Sequence, residues 1–231
     1  MLDIIAFDAD DTLWHNETLY SITQAKFAEL LAEYHDPSSI AERLYATEMR
    51  NLGLFGYGIK GFTLSMIETA IELTDGQIAG AAIQQIIDLA KAMILAPTQL
   101  LEHVAEVVPQ LARSYRLMLI TKGDLFDQET KLARSALGQH FTHVEIVSDK
   151  SVASYRALFD KYKIDPAHFL MVGNSLRSDI LPVTALGARA VYIPYHLTWA
   201  HETVDDHDPQ AHGYVELEHI GLLPALIEQS G

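Results

Sequence analysis

Short apolar runs recur along the chain, with amphipathic stretches between them. The runs Ile4–Phe7, Leu117–Ile120, Val144–Val147, Phe169–Val172 and Ala190–Ile193 carry few charges. That is the pattern of parallel strands covered on both faces. The last four are separated by roughly 20 to 30 residues, about what one crossover needs. Start and stop signals bound the helices between them. Asp124 opens one that runs to Leu137 and stops at Gly138, Ser151 opens one that ends before Pro166, and a third ends at Gly187. Strands and helices in alternation predict a doubly wound parallel sheet.

The interval between the first run and Leu117 is far longer, over a hundred residues. It holds helical periodicities such as Phe27, Leu30, Leu31, Tyr34 and Ile83, Ile86, Ile87, Ala90, Ile94. Five acceptable helices and no good strand fill residues 17–113. The expected architecture is α/β: a Rossmann-like core from residues 1–16 and 97–231, with an all-helical domain inserted at 17–96. The segment Pro97 to Arg113 returns the chain to the sheet. Pro109, inside its helical pattern, should kink that helix or mark its real start.

Charge begins where the first strand ends, in Ile4-Ile5-Ala6-Phe7-Asp8-Ala9-Asp10-Asp11-Thr12-Leu13. Alternate side chains of an extended segment share a face, so Asp8 and Asp10 should project together from the strand's C-terminal tip. Ligands bind at such tips in open α/β sheets, and paired carboxylates there need a cation or substrate between them. Thr121, Lys150 and Gly173-Asn174-Ser175 with Asp179 stand at or just beyond other strand ends. Taken singly, each has an ordinary reading: a solvated turn at 8–12, a strand-end cap at Thr121, a surface lysine at Lys150, a helix-dipole partner at Asp179. A calcium loop is excluded, because Leu13 and Leu19 occupy its glycine and final glutamate positions. Converging on one crevice, the set suits phosphoryl transfer: carboxylates and carbonyls for a hard cation such as Mg²⁺, lysine and hydroxyl donors for phosphoryl oxygens.

Composition narrows the partners. With 31 Asp+Glu against 16 Lys+Arg the formal net charge is −15, which offers no electrostatic footprint for nucleic acid or an anionic membrane. An anionic substrate must be met by local positive charge or a metal. The absence of cysteine rules out disulfides and thiolate chemistry and fits a reducing compartment. The N-terminus carries Asp3 and Asp8 rather than the basic region of a signal peptide, and no apolar run has the length of a membrane span. A soluble, cytoplasmic protein is expected.

Four motifs in order, Asp8-Ala9-Asp10-Asp11-Thr12-Leu13, Thr121-Lys122-Gly123, Lys150 and Gly173-Asn174-Ser175-Leu176-Arg177-Ser178-Asp179, resemble those of the haloacid dehalogenase-like (HAD) hydrolase superfamily. The resemblance is to subfamily I, with a helical cap of the C1 type at 17–96, and it covers essentially the whole chain. It implies that Asp8 attacks phosphorus to form an aspartyl-phosphate. Asp10 would protonate the leaving alcohol and then activate water. Thr121 and Lys150 would hold the phosphoryl group, with Lys122 either beside the phosphate or pointing away. Mg²⁺ would be bound by Asp8, the backbone carbonyl of Asp10, Asn174 and Asp179, the last directly or through water. Dehalogenase members lack a carboxylate at the position of Asp10, so its presence favours a phosphatase. The sequence departs from the family pattern at Asn174, often an acid, and at Lys122, often neutral. The expected activity is Mg²⁺-dependent hydrolysis of a small phosphorylated metabolite. The alternatives are a non-catalytic phosphate-binding or regulatory member, and a dehalogenase- or phosphonatase-type hydrolase. Physiological substrate and oligomeric state are not legible in the sequence.

Two further features stand outside these motifs. Gly56-Tyr57-Gly58-Ile59-Lys60-Gly61 matches G-x-G-x-x-G, but it follows a helical segment rather than a strand, so the dinucleotide-binding mechanism is missing. It reads as a helix–helix connection, or as a cap loop with Arg50, Tyr57 and Lys60 as candidate substrate contacts. His196, His201, His207 and His212 form a scatter near Trp199 without the spacing of a helical zinc site. Surface histidines are the simpler reading, although the loop 194–215 follows the last core strand.

Overall fold

The computed structural model describes residues 2–204 and 208–229. The chain divides into two compact units. An α/β unit takes Met1–Glu17, Thr98–Lys122 and Gln128–Gly231, and a helical unit takes Thr18–Pro97 with Gly123–Asp127.

In the α/β unit six parallel strands run in the order β3-β2-β1-β4-β5-β6. They are β1 (Ile4–Phe7), β2 (Arg116–Lys122), β3 (His143–Val147), β4 (Phe169–Gly173), β5 (Arg189–Tyr192) and β6 (Val215–Glu216). The first strand in sequence is central, paired with β2 and β4 through Phe7↔Leu119 and Phe7↔Val172. Its four residues are all buried, and alternation sends them to two cores. Ile5 and Phe7 join Leu117, Leu119, Leu170 and Val172 on one face, and Ile4 and Ala6 join Met118, Ile120, Phe169 and Met171 on the other.

Ten α-helices frame or interrupt this order among the described residues: α1 (Glu17–Leu30), α2 (Pro37–Phe55), α3 (Ile59–Leu73), α4 (Gly80–Leu95), α5 (Val104–Leu111), α6 (Leu125–Ser135), α7 (Val152–Tyr162), α8 (Leu181–Thr184), α9 (Pro209–His212) and α10 (Leu223–Gln229). Val104, Val107 and Leu111 of α5 pack with Leu223 and Ile227 of α10 on the first face. Tyr155, Leu158 and Phe159 of α7 cover the second. Ser151 caps α7 in a reciprocal pair with Ser154.

The structure departs from the sequence reading at several ends. Strand β2 extends through Thr121 and Lys122. Strand β6 has only two residues, both exposed, and so leaves no hydrophobic signature. Pro109 lies inside α5 rather than at its start, which is Val104. Helix α6 stops at Ser135, two residues before Leu137, because Ala136 turns left-handed (φ 57) and the Ser135 hydroxyl takes the Leu137 N–H at 3.1 Å. Tyr34 lies beyond the end of α1 and is exposed.

The helical unit has its own core, in which Phe27, Leu31, Ile40, Leu44, Phe62, Met66 and Ile86 are buried. Asp36 caps α2, accepting the Ser39 N–H at 3.0 Å, with Pro37 in the first turn. The glycines of G-x-G-x-x-G serve the α2–α3 connection. Gly56 and Gly58 have φ of 70° and 111°, and a Cβ at Gly61 would meet the Gly56 carbonyl at 2.7 Å. Residues 123–127 cluster with these helices, Lys60 Nζ donating to both Asp124 carboxylate oxygens at 3.0 Å. Among the described residues no helix is long and apolar enough to cross a membrane.

Candidate active site

Asp8 follows β1 directly, and its N–H donates to the Val172 carbonyl at 2.9 Å. Its carboxylate is buried. One oxygen takes the Lys150 ammonium and the other accepts the Thr12 hydroxyl at 3.1 Å. Lys150, itself buried, also donates to Asp179 at 2.7 Å. The second oxygen of Asp179 accepts the Ser175 N–H at 3.0 Å. One ammonium thus lies between two buried carboxylates. Burial pushes the Asp8 carboxyl up, against the pull of Lys150. Burial also works against the charge on Lys150, but Asp179 and Asp8 outweigh it and hold the ammonium above the usual lysine range. Gly173 is required here, since the Asp179 side chain occupies the space a Cβ would need.

Asn174 completes this side. The end of its amide facing Asp8 and Asp10 meets only acceptors, which assigns it as nitrogen. That nitrogen donates to Asp8 Oδ2 and the Asp10 carbonyl, each at 3.2 Å, and to Thr12 Oγ1 at 3.1 Å. A carboxylate oxygen, a backbone carbonyl and an amide that can turn its oxygen inward therefore converge, an oxygen set that suits a hard cation such as Mg²⁺. Among the described residues no three His, Asp or Glu side chains are grouped to hold a metal. A cation at this place would have to draw on the amide and the carbonyl as well as on Asp8.

The side chain of Asp10 turns to a different lysine from that of Asp8, away from the common face that strand periodicity predicts. The chain leaves the extended conformation after Asp8 in a turn, with the Thr12 and Leu13 N–H groups on the Ala9 carbonyl at 3.3 and 2.8 Å. The alternation rule ceases to apply there. Each carboxylate has its own lysine. Asp10 accepts Lys131 Nζ on both oxygens at 2.8 Å, Trp14 Nε1 at 2.7 Å and Gln128 Nε2 at 2.7 Å. Asp11, left-handed at φ 62, accepts the backbone N–H groups of Asn16 and Glu17. Burial raises its carboxyl to about 7, opposed by those bonds.

Thr121 is buried at the end of β2. The Lys122 ammonium donates to Ser178 Oγ at 3.0 Å and pairs with Glu202. Glu202 also accepts the hydroxyls of Ser175 at 2.5 Å and Ser178 at 2.6 Å. Burial alone would raise this carboxyl, yet Lys122 and the two hydroxyls hold it at about 2. Part of the loop after β5 is thereby tied to the motif around Asn174. His196 lies against Tyr195 with ring centroids 4.2 Å apart and the rings tilted, and His201 against Trp199 in the same way at 4.9 Å. His207 lies outside the described residues.

In the helical unit Arg50 is bound to Glu72 at 2.6 Å and Glu68 at 3.3 Å. Lys60 is paired with Asp124. Sequence reasoning missed Thr12, Gln128, Lys131 and Glu202. Thr12 stood within the first motif, and Gln128 and Lys131 lie three apart on one face of α6. Glu202 left no signal in sequence.

The family model of haloacid dehalogenase-like hydrolases matches residues 2–187. The chain belongs to this family of hydrolases. Among solved structures, a haloacid dehalogenase-like family hydrolase from Xanthomonas campestris is 38% identical with a TM-score of 0.87, over 99% of this chain and 91% of that one. A 2-haloacid dehalogenase from Pseudomonas syringae pv. tomato (18% identity, TM-score 0.65, all of both chains) shares the fold. So does a HAD phosphatase from Thermococcus onnurineus (17%, 0.63, 98% of each chain). A search of curated proteins found no match. Dehalogenases and phosphatases both stand on this fold, so the chemistry must be argued from the site.

Proposed function

We propose that this hydrolase is a Mg²⁺-dependent phosphatase acting on a small phosphomonoester. The observation that carries the reading is Asp8, a buried carboxylate at the tip of the central strand gripped by Lys150 and Thr12, with a second carboxylate two residues on. Asp8 attacks phosphorus, and the bond from phosphorus to the leaving oxygen breaks as that oxygen takes a proton from Asp10. Water then gives a proton back to Asp10 and attacks the aspartyl-phosphate, releasing inorganic phosphate and free Asp8. Thr121 and Lys150 hold the phosphoryl oxygens. Lys122, its charge matched by Glu202, is assigned to holding the loop. Mg²⁺ would be held by Asp8, the Asp10 carbonyl and Asn174, with Asp179 direct or through water, and would neutralise charge on the phosphoryl group.

Hydrolysis of a carbon–halogen bond needs no proton for its leaving group, so a second carboxylate has no task in it. Asp10, held by four hydrogen bonds, favours the phosphatase. The test is p-nitrophenyl phosphate turnover by the purified protein with Mg²⁺, after EDTA, and after Mg²⁺ is restored. Turnover should vanish with EDTA and return with the metal. Absence of turnover on this ester and on a panel of phosphorylated metabolites would sink the reading. In the helical unit, Tyr57 and Lys60 are proposed substrate contacts. Their substitution should change KM between substrates, and identical kinetics across the panel would remove them.

A further inference from the structure

The four hydrogen bonds on Asp10 fill the roughly four lone-pair sites that a carboxylate offers. In this arrangement the carboxylate has no lone pair free for the proton it must deliver to a leaving group, so one donor must yield before Asp10 can act. The donors are not equivalent. Trp14 is wholly buried and lies only four residues away on the same turn. Gln128 is buried and its amide is also fixed by the Lys122 carbonyl at 3.2 Å. Lys131 has the long, flexible stem, and its ammonium already touches a second acceptor, Asn16 Oδ1 at 3.2 Å. It can move from Asp10 to Asn16 without being stranded.

From this geometry we infer that Lys131 is a positioning residue for Asp10: it parks the carboxylate between turnovers and withdraws to Asn16 when a leaving group arrives. Gln128 and Trp14 each hold a single oxygen of Asp10, so the plane of the carboxylate is set by the lysine, which contacts both. The inference rests on the phosphatase reading and adds to it a residue on α6 that the four motifs do not contain. Lys131 does not touch phosphorus. Its effect passes through Asp10, and therefore through the step in which a proton reaches the leaving oxygen.

That step can be isolated by the choice of ester. p-Nitrophenolate departs with little help, whereas an alkoxide needs a proton as it leaves. We expect Lys131→Met to lower kcat for an alkyl phosphate such as glycerol phosphate by about tenfold or more. The same variant should change kcat for p-nitrophenyl phosphate by no more than about threefold. Lys131→Arg, which restores the cation, should recover much of the lost ratio. Gln128→Leu serves as the second variant if Lys131→Met does not fold, and should skew the ratio in the same direction. A general structural defect would lower both rates together, so an unchanged ratio in both variants overturns the inference while leaving the phosphatase reading intact. A wild-type protein that hydrolyses neither these esters nor any phosphorylated metabolite of the panel removes that reading first, and the inference with it.

Discussion

At the scale of single residues, the site is organised by which carboxylate meets which cation. Asp8 and Asp179 share the buried Lys150, Asp10 has Lys131, and Glu202 has Lys122. Buried charges persist only when paired in this way. Because Asp8 is the proposed nucleophile, Asp8→Asn should reduce kcat on the order of 10³-fold or more in the p-nitrophenyl phosphate assay. Full activity of the purified variant would falsify the assignment. Glu202 gives a pH prediction. Its folded-state carboxyl is held at about 2, below the usual glutamate value of 4.5, so its contribution is present above that ordinary value and lost as pH falls toward 2. Glu202→Gln should cost up to about 3 kcal/mol near neutrality and little near pH 2. Denaturant midpoints across that range would measure it, and a cost independent of pH would contradict the pairing.

At the scale of elements, helix and strand ends deliver the functional groups. The tip of β4 can carry Asn174 toward Asp8 only because Gly173 leaves room for the Asp179 side chain. Gly173→Ala should therefore destabilise the fold by about 1 to 3 kcal/mol and weaken Mg²⁺-dependent turnover. Wild-type thermal stability in that variant would show that Asp179 can move aside. Helix α7, whose N-terminal Ser151 directly follows Lys150, begins at a reciprocal cap. Ser151→Ala should cost about 1 kcal/mol, measurable by chemical denaturation. These elements were largely legible in sequence. Four-residue β1 was found to its exact ends because every residue in it is apolar and the next is charged. The end of α6 and the strand β6 were not, because a left-handed Ala136 and two exposed strand residues leave no mark on hydrophobic periodicity.

At the scale of the whole molecule, three apolar cores stand behind the two units, two on the faces of the sheet and one in the helical unit. Met66 is wholly buried in the helical core, and its truncation to alanine should cost about 2 to 5 kcal/mol. Amide hydrogen exchange should then speed up in residues 18–97 while β1, β2 and β4 keep their protection. Equal loss of protection in the sheet would show that the helical core and the sheet cores melt as one. The sequence alone determined the α/β class, the long helical insertion after the first strand and the motif residues, because burial periodicity and chemical type are local properties of the chain. Only the tertiary structure decided the partners. Lys131 on Asp10, Glu202 on Lys122 and the Asn174 amide between Asp8 and the Asp10 carbonyl join positions 80 to 166 residues apart. Such pairings follow from how the strand tips and loops converge, and no local pattern encodes them.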